Sequence, residues 1–137
     1  MSYRVVFSYV CLKPFEELKR KHNYKFIIYK ISDDSKEIVV ETTSNDGDYE
    51  QFLKCFPKDD CRFAICDFQY ENEGNHSKIL FYTWAPDIAS VKSKIIFAST
   101  RSSFRRSLIG VEGDIQASDY DEISYEAVLE EITKGPC

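Results

Sequence analysis

Stretches rich in aromatic and β-branched residues, bounded by turn-forming clusters, predict strands over residues 24–31, 37–42, 62–68 and 78–84. Ser32-Asp33-Asp34-Ser35 closes the first two into a hairpin, and Asn72-Glu73-Gly74-Asn75-His76 joins the second two. A further short strand fits 113–117. Helical spacing appears between these runs. Phe15 and Leu18 place a short helix over 15–21 with Pro14 in its first turn, and Tyr49, Phe52 and Leu53 mark one over 48–56 that Pro57 stops. The longest helix starts at Pro86, with Asp87 against the positive end of its dipole. Ile88, Val91 and Ile95 share one face that does not continue into Phe104 and Leu108, so the spacing predicts a break near Ser99-Thr100 and a stop at Gly110. Tyr125, Val128, Leu129 and Ile132 mark a last helix over 124–132. This order predicts an α+β fold, a mixed sheet covered by helices on both faces.

The 137 residues fit one domain, and 43% hydrophobic content with 15% aromatics is enough for a core without disulfides or metal. Five cysteines, Cys11, Cys55, Cys61, Cys66 and Cys137, form no C-x-x-C pair, which favours free thiols in a reducing compartment. The apolar start at residues 5–12 is too short and too mixed for a signal peptide or a membrane span. An intracellular, soluble protein is expected.

The net charge of −5 argues against nucleic acid as a partner, but its distribution is uneven. Residues 88–111 hold five bases (Lys92, Lys94, Arg101, Arg105 and Arg106) and no acid, whereas 112–131 hold eight acids and no base. On a straight helix Arg101 and Arg105 fall within about 20° of Lys94, a face suited to acidic side chains or phosphates. Solvated basic surface is the plainer reading of any one of these residues. Catalytic signals are weak. The pairs Asp33-Asp34, Asp59-Asp60 and Asp121-Glu122 sit in turns or helix entries, and Asn45-Asp46-Gly47-Asp48 lacks the spacing of a calcium loop. His22 lies in a basic run and His76 in a turn, so neither is placed as the base of a catalytic cysteine. No enzyme activity and no cofactor are expected.

At this point the residues resemble a family. Trp84-Ala85-Pro86-Asp87, Lys92-Ser93-Lys94, Phe97-Ala98-Ser99-Thr100-Arg101, Arg105-Arg106-Ser107-Leu108 with Gly110, and Asp114-Ile115-Gln116-Ala117 are similar to the signature of the actin-depolymerising factor/cofilin family. The likeness extends through Phe15-Glu16-Glu17-Leu18-Lys19, Tyr24-Lys25-Phe26, Glu37-Ile38-Val39-Val40, Asp60-Cys61-Arg62-Phe63-Ala64 and Ser124-Tyr125-Glu126. It covers residues 11–134 and is greatest to fungal cofilins.

The resemblance implies a mixed five- or six-stranded sheet between two pairs of helices, in a single domain over 1–137. It implies binding to actin monomers and filaments, with filament severing and depolymerisation. Carried across, the monomer surface comprises Ser2, Tyr3, Arg4 and Val5 of the N-terminal arm, with Lys92, Lys94, Ile95, Arg101, Arg105 and Arg106 of the long helix. Lys78, Glu130 and Lys134 form a second surface used on filaments. Ser2 is the expected phosphorylation site. Expected partners are actin, phosphatidylinositol bisphosphate headgroups and other actin-turnover factors, for a monomeric protein of the cytoplasm with a nuclear fraction. Two alternatives stay open: a same-fold protein that binds filament sides or the branched-filament nucleating complex without severing, as glia maturation factor and coactosin do, and a phosphoinositide-binding module. Asn75 and His76 stand where the family often has two bases, and Glu131 where fungal members often have one. These changes predict retained monomer binding and weaker filament decoration.

Overall fold

The computed structural model describes residues 5–134; Ser2, Tyr3, Arg4 and Cys137 lie outside the described residues. Strands β1 (Phe26–Ile31), β2 (Ile38–Ser44), β3 (Arg62–Glu71), β4 (Asn75–Trp84) and β5 (Gly113–Ala117) form one sheet in the order β2-β1-β3-β4-β5. Every neighbouring pair is antiparallel except β4 and β5. The helices are α1 (Tyr9–Lys21), α2 (Tyr49–Leu53), α3 (Val91–Ser107) and α4 (Tyr125–Thr133), with a 3-10 turn over Tyr120–Ile123 before α4. Val6 adds one parallel bridge to the outer edge of β2, through Val6 N–H to Lys36 O at 3.0 Å and Ile38 N–H to Val6 O at 2.9 Å.

Alternation along the strands sorts the core into two layers. Ile27, Tyr29, Phe63, Ile65 and Phe81 face α1 and α3, where they meet Cys11, Phe15, Leu18, Phe97, Phe104 and Leu108. Phe26, Ile28, Ala64, Cys66, Phe68, Leu80, Tyr82 and Trp84 face the other way, against Phe52, Phe56, Ile123 and Val128. The sheet therefore lies between two pairs of helices, as the α+β reading expects. The strand over 113–117 forms at those bounds.

Three helices differ from the sequence reading: the second, expected over 48–56, is confined to Tyr49–Leu53. The first begins at Tyr9 and carries Pro14 in its interior. Cys11, Phe15 and Leu18 are all buried on one face, and this packing outweighs the N–H that Pro14 lacks. The longest helix starts at Val91 rather than Pro86. Pro86–Ala89 is a turn closed by Ala89 N–H to Pro86 O, and the Ser90 hydroxyl caps the helix by accepting from Ser93 N–H at 3.1 Å. No break occurs at Ser99-Thr100. Thr100 is itself buried, its hydroxyl donating to Ile96 O at 2.6 Å, so it links Ile96 and Phe97 to Phe104 along one continuous inner face.

Candidate protein-binding surface

Because Ile96, Phe97, Thr100 and Phe104 take the inner face of α3, the apolar Ile88, Val91 and Ile95 are left in solvent. Val91 is 73% exposed and Ile95 48% exposed. At about 100° per residue the outermost ridge runs Val91, Ile95, Ala98, Ser102 and Arg106, with Lys94, Arg101 and Arg105 along one flank. The helix thus presents apolar side chains at its N-terminal end and bases along its length.

The bases are held in distinct ways. Lys94 Nζ donates to Asp87 O at 2.6 Å and ties the helix to its entry turn. Arg101 Nε donates to Thr83 Oγ1 at 3.1 Å, its guanidinium lies 5.9 Å from the Phe81 ring centroid, and its Nη2 reaches Asp114 Oδ2 at 3.4 Å. Arg105 Nε meets the other oxygen of Asp114 at 2.6 Å. One carboxylate from β5 therefore orients two guanidinium groups of α3, an acid that lies just outside the basic segment of the sequence. Arg106 is exposed and donates to Ser102 Oγ at 3.4 Å; Lys92 is exposed in the first turn. Val5 is half-buried against the core beside α1 and α3. Ser2, Tyr3 and Arg4 lie outside the described residues.

Asp60 fastens the start of α3 to the sheet. Its Oδ1 accepts from Ser93 Oγ at 3.0 Å and from Cys61 N–H at 2.9 Å, and its Oδ2 from Arg62 Nη1 at 2.8 Å. Arg62 in turn holds Glu41 through two nitrogens, at 3.0 and 3.3 Å. Burial alone raises the Asp60 pKa, but the bonds from Arg62, Cys61 and Ser93 outweigh it and hold the carboxyl below the usual range. Asp60 is the turn residue the sequence predicts, half exposed, and its bonds to Ser93 and Arg62 are what the local pattern does not mark.

Of the residues expected on a second surface, Lys78 reaches the helix that carries Glu130 and leads into Lys134. Lys78 of β4 donates to Ile132 O at 3.4 Å, which brings it to the C-terminal end of α4; Glu130 and Lys134 are exposed near that end of the same helix. Lys134 pairs with Glu131 at 3.9 Å. The last rungs of the β3–β4 hairpin, Gln69↔Ser77 to Glu71↔Asn75, run past the ends of β1 and β5. On that extension His76 stacks on Tyr70 and donates from Nε2 to Asn72 O at 2.8 Å. This surface lies with α4, across the sheet from α3.

Among the described residues no group of three or more His, Cys, Asp or Glu side chains gathers to hold a metal, and no helix is long and apolar enough to cross a membrane. Burial pushes the thiols of Cys11, Cys61 and Cys66 up, away from the reactive thiolate.

One helix thus stands apolar at its tip and basic along its flank, the surface chemistry of a protein-binding module. Residues 5–133 match the family model described as cofilin/tropomyosin-type actin-binding protein. The cofilins of Kluyveromyces lactis and Saccharomyces cerevisiae are each 47% identical over 127 residues, covering 90% of this chain and 89% of theirs. The crystal structure of Streptomyces griseoflavus cofilin superposes with a TM-score of 0.90 at 36% identity, covering 96% of this chain and 99% of that one. The chain belongs to the cofilin/actin-depolymerising factor family of actin-binding proteins.

Proposed function

We propose that this chain, as a monomeric single domain, binds actin monomers through α3 and the N-terminal arm. The exposed Val91–Ile95 ridge, with two guanidinium groups fixed beside it by Asp114, is the observation that carries the reading. An apolar helix tip suits a hydrophobic cleft, and the flanking Lys92, Lys94, Arg101, Arg105 and Arg106 suit acidic side chains at its rim. Lys78, Glu130 and Lys134 form the second contact, made only when a neighbouring filament subunit is present. Occupying both contacts favours a subunit arrangement that the bare filament rarely adopts, and that differential affinity promotes severing and subunit loss. The protein acts by binding, without catalysis, in the cytoplasm at the actin cytoskeleton. A phosphate added to Ser2 would put about two negative charges into the arm and weaken the monomer contact.

Co-sedimentation with actin over a concentration series, scoring bound protein and actin released to the supernatant, tests this reading. Arg105→Glu with Arg106→Glu is expected to abolish monomer binding with an unchanged circular dichroism spectrum; unchanged affinity would place the contact elsewhere. Because Arg101 and Arg105 converge on a single anion, the same pair suits the phosphates of a phosphoinositide headgroup. Such vesicles should then compete with actin.

A further inference from the structure

Six large apolar side chains stand exposed at one end of the molecule: Val6, Tyr9, Val10, Ile88, Val91 and Ile95. The topology brings them there. Ile31, Ile38, Arg62 and Trp84 mark the same end of the sheet, α3 descends from that end, and the bridge from Val6 to Lys36 and Ile38 pins the start of α1 beside it. Beside the start of α3 at this end opens a groove of about 230 Å³ with a mixed lining that includes Ile31, Asp33, Asp60, Lys92, Ser93 and Ile96; none of the six exposed apolar side chains lines it.

Tyr9 and Val10, 76% and 75% exposed, open α1 where an acidic residue would favour the helix dipole, and that turn holds none. The Ser8 side chain makes no cap bond to compensate. Neither residue serves the core or the helix, and residues 5–12 carry no charge. Apolar side chains held out in water on this scale mark an interaction surface, and tyrosine is a common anchor in such surfaces.

We infer that Val6, Tyr9 and Val10 extend the actin-binding surface from the start of α3 to the start of α1 at the same end of the molecule, with Tyr9 as an apolar anchor on the actin monomer. The inference rests on the reading of α3 as the monomer contact, whose first turn starts at the same end of the sheet as α1. It adds an uncharged half to a site whose other half is basic, so this half of the affinity is little screened by salt.

The test is a titration of labelled actin monomers at low ionic strength with the Tyr9→Ser/Val10→Ser double variant and with Tyr9→Phe. Serine removes apolar surface without adding charge, and both side chains are exposed, so the thermal midpoint should hold. The double variant should bind about tenfold more weakly, in the range of a lost interface anchor, and Tyr9→Phe should keep most of the affinity. If the double variant binds like the unmodified chain while Arg105→Glu/Arg106→Glu fails to bind, the extension is wrong and the α3 contact stands. If neither change matters, the α3 reading fails as well. Sedimentation velocity closes the remaining route: a dimer of the unmodified chain dispersed by the double variant would give the patch to self-association and overturn the inference.

Discussion

Asp114 Oδ1 lies 2.6 Å from Arg105 Nε, a contact that reaches from the edge strand to the last turn of α3 while the second carboxylate oxygen faces Arg101. The acid reduces the positive charge of the proposed binding face, yet it also holds two flexible side chains ready. Ordering an interface side chain costs about 0.5–1.5 kcal/mol, so releasing both costs about 1–3 kcal/mol. Removing one exposed negative charge returns less than about 1 kcal/mol through water. Orientation wins. Asp114→Asn should weaken monomer binding about three- to tenfold while raising the association rate at low salt, a split that stopped-flow binding resolves. A lower dissociation constant would show that charge, not orientation, governs the site.

Phe104 ties the same helix into the core. Its ring meets Phe7, Tyr29, Phe63 and Phe81 at centroid distances of 5.3, 4.9, 5.5 and 6.1 Å, and it is fully buried. Phe104→Ala should cost about 3–5 kcal/mol, a large share of the about 5–15 kcal/mol that holds a typical domain. Urea unfolding followed by fluorescence measures it. A loss below about 1 kcal/mol would mean that the cluster relaxes around the void.

Much of this fold is legible in the chain because strand positions depend on local runs and turns. The strand over 113–117 and both hairpins follow from such runs. The phase of α3 does not, because Thr100 counts as polar until its hydroxyl is seen to bond back to Ile96 O. With Thr100 on the polar side, Ile88, Val91 and Ile95 look like the buried face. With it on the inner side they become exposed. At the site, residue types and spacing single out the bases, but the groups that hold the helix and its bases come from other elements. Asp60 reaches Ser93 across 33 residues, and Asp114 meets Arg101 from another element. No local pattern marks such pairs. The sign of a clue was present at Tyr9 and Val10, two apolar residues at the very start of a helix, but their exposure depends on where α1 begins.

The proposed filament surface carries its own expectation. Asn75 and His76 stand on the projecting hairpin, and Glu131 spends its charge partly on Lys134. Asn75→Arg with Glu131→Arg restores positive charge on both sides of Lys78. Filament co-sedimentation should then saturate at several-fold lower protein concentration, with monomer affinity unchanged. No gain would mean that these positions do not face the filament.

Asp60 makes the attachment of α3 sensitive to acid. Its folded pKa is held below the unfolded value of about 3.9 by Arg62, Cys61 N–H and Ser93, so the folded state binds that proton less readily than the unfolded chain. The stability it contributes is present above about pH 4. It is lost as the pH falls through the lower, folded value. Asp60→Asn keeps the shape but removes the titration, so the variant should be less stable at pH 7 and should lose less on acidification to pH 3. Urea midpoints of both chains at the two pH values decide it. The side chain is half exposed, so water screens the pair with Arg62 and the expected difference is a shift of the acid limb rather than collapse of the fold. Parallel acid limbs for the two chains would assign the titration to another carboxylate and leave Asp60 with a purely geometric role in seating α3.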